Sequence, residues 1–201
     1  IQGDAMGPHD TAETKAKTAE LGLYFQPRGG CNEDDVGSNC CQITYGWQDD
    51  GGLHGDTILV GLGAHPIRRT PDGPMQKAPD ILDLLDPQAP QKTHRTLRAI
   101  FLQHGHGDDD EGILRYLEHG YRLPPIYGDE LTISIQKEKL RGRIHKGAWP
   151  QLHVVKPGAP VQVGPFTLEA VQMGHTLSSS GLVVKAGGMA AFMTGDFKLD
   201  Q

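Results

Sequence analysis

The feature of this sequence that most constrains its fold is an apolar stretch followed by a histidine-rich segment and then a helix-like pattern. Residues 97–103 (LRAIFLQ) are typical of a buried strand, and residues 112–119 (GILRYLEH) have the apolar spacing of a helix. The segment between them contains HGHGDDDE. A loop between a strand and a helix lies at the carboxyl edge of a sheet, where α/β proteins place their functional sites. The chain is therefore predicted to belong to the α/β class, with a site in this loop.

The loop is rich in metal-ligating side chains. His104, His106 and Asp108 are spaced two residues apart, and alternate side chains of an extended loop point the same way, so these donors are expected to converge. Imidazole and carboxylate donors suit Zn²⁺ or Mn²⁺. Asp109 and Asp110 add negative charge that a bound cation would neutralise. The alternative interpretation is a solvated turn that contains two histidines.

Two later donors also follow predicted strands. His175 comes after the predicted strand 166–173, and Asp196 comes after the predicted strand 190–194. A lone histidine after a strand is more often structural than functional. The complete order of HxHxD, then histidine, then aspartate, each at a strand end, predicts a single metal site.

The rest of the chain indicates a domain that is β-rich at both ends and helical in the middle. Its 27 glycines and 14 prolines are typical of many turns and short elements. Residues 1–19 are predicted to be a disordered tail or a vector remnant, and residues 20–201 a single domain. Further strands are predicted at 21–26, 42–47, 57–62, 125–127, 152–155, 161–163 and 181–185, and further helices at 80–85 and 129–141. The first three strands are expected to form a meander.

Charge and composition restrict the function classes. The net charge of −6 argues against a broadly basic nucleic-acid-binding surface, but it leaves room for a local basic groove. No stretch approaches the roughly 20 apolar residues that span a bilayer, so no membrane partner is expected. Cys31, Cys40 and Cys41 are odd in number and lack CxxC spacing, which favours a reduced, cytoplasmic compartment.

Three other features each allow two interpretations. The serine run 178–180 could contact a phosphate or simply form a turn. The basic segment 140–147 (LRGRIHKG) could meet an RNA backbone or be the solvated end of a helix. Trp47 and Trp149 are predicted to be packing residues.

At this point the sequence resembles the metallo-β-lactamase fold, specifically ribonuclease J and its β-CASP relatives. The resemblance is carried by HGHGD at 104–108, GHTLSSSG around His175 and TGDFKLDQ around Asp196, with support from RGG at 28–30 and DVGSN at 35–39. It covers residues 21–201. The fold implied is a metallo-β-lactamase-like αββα sandwich.

The resemblance also implies a two-metal mechanism. His104, His106 and His175 would hold one metal, Asp108 would bind the second, and Asp196 would bridge the two. Zn²⁺ is the implied metal, with a hydroxide between the ions attacking a phosphodiester of RNA. Asp108 and Asp196 are then the implied catalytic residues, and Asp108 could also orient the water.

Three departures from the family pattern affect this expectation. Asp109 stands where the family has a histidine, and as a ligand it would favour Mn²⁺ or Mg²⁺ at the second site. Gly61 stands where the family has an aspartate that orients a metal-bound histidine. The chain ends at Gln201, before the β-CASP insertion and a further metal-binding histidine, so the fold is expected to be incomplete. A second copy or another chain could complete the open sheet edge.

The expected function is therefore a metal-dependent hydrolase of ribonuclease J type that cleaves RNA. One alternative is a catalytically degenerate domain of the same fold that binds RNA or a protein. Another is a hydrolase of a small ester, thioester or lactam, because one fold serves many chemistries.

Overall fold

A computed structural model describes residues 20–30, 37–49, 52–66, 68–70, 73–86 and 94–198. The predicted tail, residues 1–19, and Cys31 lie outside the described residues. The strands are β1 Gly22–Pro27, β2 Cys41–Asp49, β3 Gly52–Val60, β4 Arg68–Thr70, β5 Gly73–Met75, β6 His94–Phe101, β7 Ile126–Gly128, β8 Leu152–Val154, β9 Val161–Val163, β10 Phe166–Met173, β11 Ser179–Ala186 and β12 Met189–Met193. The helices are α1 Leu82–Leu85, α2 Gly107–Glu118 and α3 Glu130–Leu140, with a 3₁₀ turn at Lys146–Ala148.

A six-stranded sheet carries the centre of the fold. Its strands lie in the order β1-β2-β3-β6-β7-β8. β1, β2 and β3 pair antiparallel, which confirms the predicted meander, whereas β3, β6, β7 and β8 are parallel. Parallel strands end at the same sheet edge, so the segment that follows β6 lies at the carboxyl edge, as predicted.

A second, antiparallel sheet packs against the first. Its strands lie in the order β12-β11-β10-β9. Along β10, Phe166, Leu168 and Ala170 are buried and alternate with more exposed residues, which is the period of a half-buried strand. These side chains join Ile58 and Phe101 of the first sheet in one apolar core. This core fixes the position of the second sheet relative to the first.

The helices cover the opposite face of the first sheet. Ile100 and Leu102 point to that face and form a second apolar cluster with Ile113 of α2 and Ile133 of α3. The mixed α/β sandwich is therefore confirmed. Within the described residues, helices cover the first sheet only, so the layers seen are helix, sheet and sheet.

The main local difference from the sequence prediction is the start of α2. The helix begins at Gly107, not near residue 112, so Asp108, Asp109 and Asp110 occupy its first turn and not an extended loop. Carboxylates are stabilised there by the exposed N–H groups and the positive end of the helix dipole. β4 and β5 form a short antiparallel ladder in a region predicted to be mostly loop.

No helix within the described residues is long and apolar enough to cross a membrane. Cys40 and Cys41 are both free thiols among the described residues. Cys40 is buried, and that burial raises the pKa of its thiol to about 12.

Candidate metal centre

His104 is the most deeply buried donor of the site. It lies just beyond β6, has 1% of its surface exposed, and neither ring nitrogen has a hydrogen-bond partner among the described residues. Burial lowers the pKa of this imidazole, an effect that the nearby carboxylates of Asp196 and Asp108 partly oppose. Burial thus favours the neutral imidazole, which is the form that binds a metal. An unpartnered buried imidazole is costly unless a ligand satisfies it.

A buried serine positions His175. The loop after β10 turns back at Ser179, whose hydroxyl oxygen accepts hydrogen bonds from the backbone N–H of His175 (3.2 Å) and of Thr176 (3.3 Å). The same hydroxyl donates to the Met173 carbonyl at 2.9 Å. These three contacts fix the backbone from which the His175 ring projects.

The other two serines of this run anchor the loop to α3. Ser178 and Ser180 each donate a hydrogen bond to the carboxylate of Asp129, the N-cap residue of α3, which also accepts from the backbone N–H of Thr132. Ser178 therefore ends a turn and Ser179 and Ser180 begin β11, so all three serines make structural contacts.

The loop that carries Asp196 is braced from the end of β6. Gln103 donates from Nε2 to the Met193 carbonyl at 3.1 Å. Gly195, at φ +61°, lies directly on this amide, because a Cβ at that position would be 2.7 Å from Gln103 Nε2. Lys198 N–H donates to the Gly174 carbonyl at 2.7 Å, which ties the loop to that of His175. Gln103 thus links two strand-end loops that are distant in sequence.

Three imidazoles and one carboxylate converge where the loops after β6, β10 and β12 meet. The rings of His104, His106 and His175 have centroids 4.7–5.2 Å apart and are nearly perpendicular to one another. His106 Nδ1 lies 3.4 Å from His175 Nε2. Asp196 Oδ2 lies 3.5 Å from His175 Nε2 and 3.8 Å from His104 Nε2. Donor atoms around a tetrahedral Zn²⁺ are about 3.3 Å apart, since Zn–N distances are about 2.0–2.1 Å. The donor set and these three separations therefore fit a divalent metal ion such as Zn²⁺.

A second group of donors shares part of the first. His104, Asp108 and Asp196 each offer one ligand atom, and these atoms lie within 4.8 Å of one another. Asp108 reaches the group from the first turn of α2, and Asn39 holds it there. Asn39 Nδ2 donates to Asp108 Oδ2 at 3.1 Å, and the Asn39 backbone N–H donates to the Asp108 carbonyl at 2.6 Å. Sequence reasoning missed Asn39, although it ends the DVGSN motif.

The structure places Asp109 differently from the sequence prediction. Asp109 belongs to neither donor group found among the described residues. Its Oδ2 accepts hydrogen bonds from the backbone N–H of Gln103 (2.9 Å) and of His104 (3.2 Å). Burial raises the pKa of this carboxyl to about 8, against the lowering effect of those two hydrogen bonds. Asp109 thus closes the turn after β6 and does not point at the other donors.

Gly61 is the position that gives Asp109 its space. Gly61 has φ +72°, and a Cβ there would lie 2.8 Å from Asp109 Oδ1 and 2.6 Å from the Asn39 carbonyl oxygen. A side chain at position 61 and the observed Asp109 carboxylate would therefore compete for the same volume. The two departures noted in the sequence are one local arrangement in the structure.

A buried ion pair supports the same turn from α3. Asp110 is fully buried and accepts hydrogen bonds from Gln136 Nε2 and Lys139 Nζ. Lys139 also donates to the carbonyl of Gly105, between the two histidines of the HxH motif, at 3.1 Å. Burial raises the pKa of Asp110 to about 6, and the Lys139 charge opposes that rise. Neither residue of α3 was identified from the sequence.

The chain is similar in sequence to known proteins. No protein-family model matches the chain. The chain is 29% identical over 197 residues to the ribonuclease J of Sinorhizobium meliloti, an alignment that covers 98% of this chain and 31% of that protein. It is 35% identical over 128 residues to the ribonuclease J of Thermus thermophilus, covering 59% of this chain and 22% of the relative. The chain thus spans less than a third of the length of these curated relatives.

Solved structures with a similar fold agree with the sequence relatives. The structure is similar to the metallo-β-lactamase fold protein YhfI from Bacillus subtilis, with a TM-score of 0.53, 19% identity, and coverage of 86% of this chain and 62% of that chain. A protein of unknown function from Enterococcus faecalis V583 matches with a TM-score of 0.51 and 16% identity over 79% of this chain and 40% of that chain. This chain therefore has the metallo-β-lactamase fold, and its sequence is similar to that of ribonuclease J.

Proposed function

We propose that the protein is a metal-dependent hydrolase of ribonuclease J type that cleaves phosphodiester bonds of RNA. The observation that carries the proposal is the convergence of four donors from loops of the two sheets: His104, His106, His175 and Asp196. The similarity to proteins named ribonuclease J supports RNA as the substrate.

Each donor has a proposed role. His104, His106 and His175 would hold a Zn²⁺ ion, Asp196 would lie between the two donor groups, and Asp108 would serve a second ion, Zn²⁺, Mn²⁺ or Mg²⁺. The chemistry that divalent ions supply in such a site is Lewis acidity, which activates water near neutral pH and stabilises charge on a phosphoryl group.

The protein groups orient the reactants around that chemistry. Asn39 occupies Oδ2 of Asp108, so the other carboxylate oxygen is the one proposed to bind the second ion and to orient the attacking water through a hydrogen bond. Asp109 is proposed to act through the backbone of the Gln103–His104 turn and not as a ligand. This is the one change to the ligand set expected from the sequence.

The cellular setting is also a proposal. The two free thiols that the structure describes support a reduced, cytoplasmic compartment. β12 pairs with β11 alone among the described strands, so pairing of its other edge with a second copy or another chain stays a prediction. Light scattering of the purified protein measures that state.

The test of function combines metal analysis with three substrates. We expect the purified protein to hold at least about one equivalent of metal, as a site with three histidine ligands would. With Zn²⁺ or Mn²⁺ it should cleave a labelled single-stranded RNA and a phosphodiester reporter, but not nitrocefin. RNA binding without turnover would favour the catalytically degenerate domain. Turnover of nitrocefin or a thioester without RNA cleavage would favour a small-molecule hydrolase.

A further inference from the structure

A basic groove lies away from the metal centre, between the end of α3, the 3₁₀ turn and β8. Its cavity measures about 600 Å³ and meets no acidic side chain among the described residues. We call it the Trp149 groove, and the lining residues used below are Lys137, Arg141, Ile144, Lys146, Trp149 and Leu152. This concentration of cations runs against the overall charge of −6.

The three cations of the groove are available for an anionic partner. Lys137 and Arg141 are four residues apart and share one face of the helix end. Lys137 and Lys146 are exposed and make no ion pair with any residue that the structure describes. Among the described residues Arg141 pairs only with Glu138, where both side chains are more than 60% exposed, and such surface pairs are weak.

Trp149 is held rigidly at the floor of the groove. Its indole Nε1 donates to the Ile144 carbonyl at 3.0 Å, and the ring packs against the apolar cluster beneath the helices. A second cavity of about 410 Å³ meets Trp149 from another side and brings Tyr121 and Arg122 to it. A fixed aromatic ring flanked by cations is the arrangement by which proteins bind single-stranded nucleic acid, because bases stack on the ring and phosphates meet the charges.

We propose that the Trp149 groove binds single-stranded RNA at a point remote from the metal centre, with phosphates on Lys137, Arg141 and Lys146 and a base against Trp149. The choice of RNA over another polyanion rests on the proposed function. The groove lies at one end of α3, whereas Asp129 at the other end contacts the loop of His175. With 11 residues in α3, the two ends are about 16 Å apart, which corresponds to about five stacked nucleotides at about 3.4 Å each.

Trp149 itself can report occupancy of the groove. The chain has two tryptophans, so Trp47→Phe leaves Trp149 as the sole one. In EDTA, which prevents metal-dependent cleavage, a ten-nucleotide single-stranded RNA should quench Trp149 fluorescence saturably. Absence of quenching, or equal quenching by a polyglutamate peptide of matched charge, would overturn the proposal, and the latter would indicate an acidic protein partner.

Charge reversal tests the same groove without the fluorophore. Lys137→Glu/Lys146→Glu should weaken RNA binding at least about 10-fold and reduce the slope of log K against log salt by about 1.4, since each phosphate contact to a single strand contributes about 0.7. Lys156→Glu/Lys185→Glu changes the net charge equally at exposed positions outside the groove and should weaken binding less than about 2-fold. Equal effects of the two double variants would overturn the proposal.

Hydrolysis separates this inference from the proposed function. A small phosphodiester reporter cannot span about 16 Å, so Lys137→Glu/Lys146→Glu should leave kcat/KM for the reporter unchanged and lower kcat/KM for a twelve-nucleotide RNA by about 10-fold. Equal loss on both substrates would contradict the groove. If the protein hydrolyses neither substrate, the proposed function fails. The fluorescence and charge-reversal experiments still show whether the Trp149 groove binds RNA.

Discussion

The two sides of the candidate centre are built differently. On the imidazole side, three rings from two loops converge with a carboxylate, and three of the donor–donor separations are 3.4, 3.5 and 3.8 Å, close to the spacing around a tetrahedral ion. On the carboxylate side, Asp108 is joined by His104, which belongs to both donor groups, and by Asp196, whose Oδ2 lies 3.5 Å from His175 Nε2. We therefore infer that the imidazole side binds metal more tightly than the carboxylate side does.

The supports of the two sides differ in the same way. Ser179 and Lys139 fix the imidazole side through backbone groups of the His175 loop and of Gly105. The carboxylate side depends on Asn39, which precedes β2 and contacts Asp108 at the same edge of the first sheet. Substitutions that affect one side more than the other are the most direct tests of this comparison.

His104→Ala should have the largest effect, because His104 belongs to both donor groups. We expect loss of metal from both sides, with an affinity decrease greater than about 100-fold, beyond the range typical of outer-shell partners. Isothermal titration calorimetry with Zn²⁺ and elemental analysis measure it. His119→Ala, an exposed histidine at the end of α2, is the matched control and should bind metal normally. Retention of one tight equivalent in His104→Ala would mean that the imidazole side is formed by other residues.

Lys139→Ala should destabilise the fold beneath the imidazole side. It leaves Asp110 buried without its charge partner, and removing one member of a buried pair costs about 3 kcal/mol or more of unfolding free energy. Urea denaturation measures the change. Lys137→Ala removes an exposed lysine two residues earlier and should change stability by less than about 0.5 kcal/mol. Similar stability of the two variants would show that the Asp110 pair contributes little.

Ser179→Ala should weaken the first metal equivalent selectively. The buried hydroxyl satisfies two backbone N–H groups of the His175 loop, so its loss leaves them unpaired and releases the His175 ring. An affinity decrease of about 10-fold is expected for the first equivalent. Ser134→Ala, at an exposed position on α3, is the control. A loss confined to the second equivalent would contradict the assignment of His175 to the imidazole side.

Asn39→Ala should weaken the second metal equivalent and leave the first unchanged. Removal of the amide frees Asp108 Oδ2, and a decrease of about 10-fold is expected from loss of such a positioning contact. Titration with Mn²⁺ after saturation with one equivalent of Zn²⁺ isolates this step. Asn39→Asp replaces the amide donor by a second carboxylate that faces Asp108, and it should weaken binding of the second equivalent further. Improved binding would show that position 39 is itself a ligand.

Asp109→Asn should have the smallest effect. The amide oxygen can accept the backbone N–H groups of Gln103 and His104, so metal stoichiometry and affinity should stay within about 2-fold of the parent protein. Asp108→Asn is the comparison, because loss of a ligating charge should remove the second equivalent. Equal loss in the two variants would restore Asp109 to the ligand set predicted from the sequence.

Much of the fold follows from local patterns. The alternation along 166–173 and the apolar runs at 57–62 and 97–103 identify strands because the period of burial is a local property of the chain. The start of α2 could not be placed in the same way. The HGHGDDD segment has no apolar period, and only the helix dipole and the buried partners of Asp109 and Asp110 make its aspartates helical.

The sequence by itself determined which side chains could form a metal centre, because each donor follows a predicted strand. These donors are His104, His106, Asp108, His175 and Asp196. Only the tertiary structure decided which carboxylates face that centre. Asn39, 69 residues away, holds the Asp108 carboxylate beside the other donors. The Asp109 carboxylate instead accepts hydrogen bonds from the backbone of Gln103 and His104, just after β6. Adjacent residues in the first turn of a helix point in directions about 100° apart, so neighbours with identical side chains receive different roles from the packing around them.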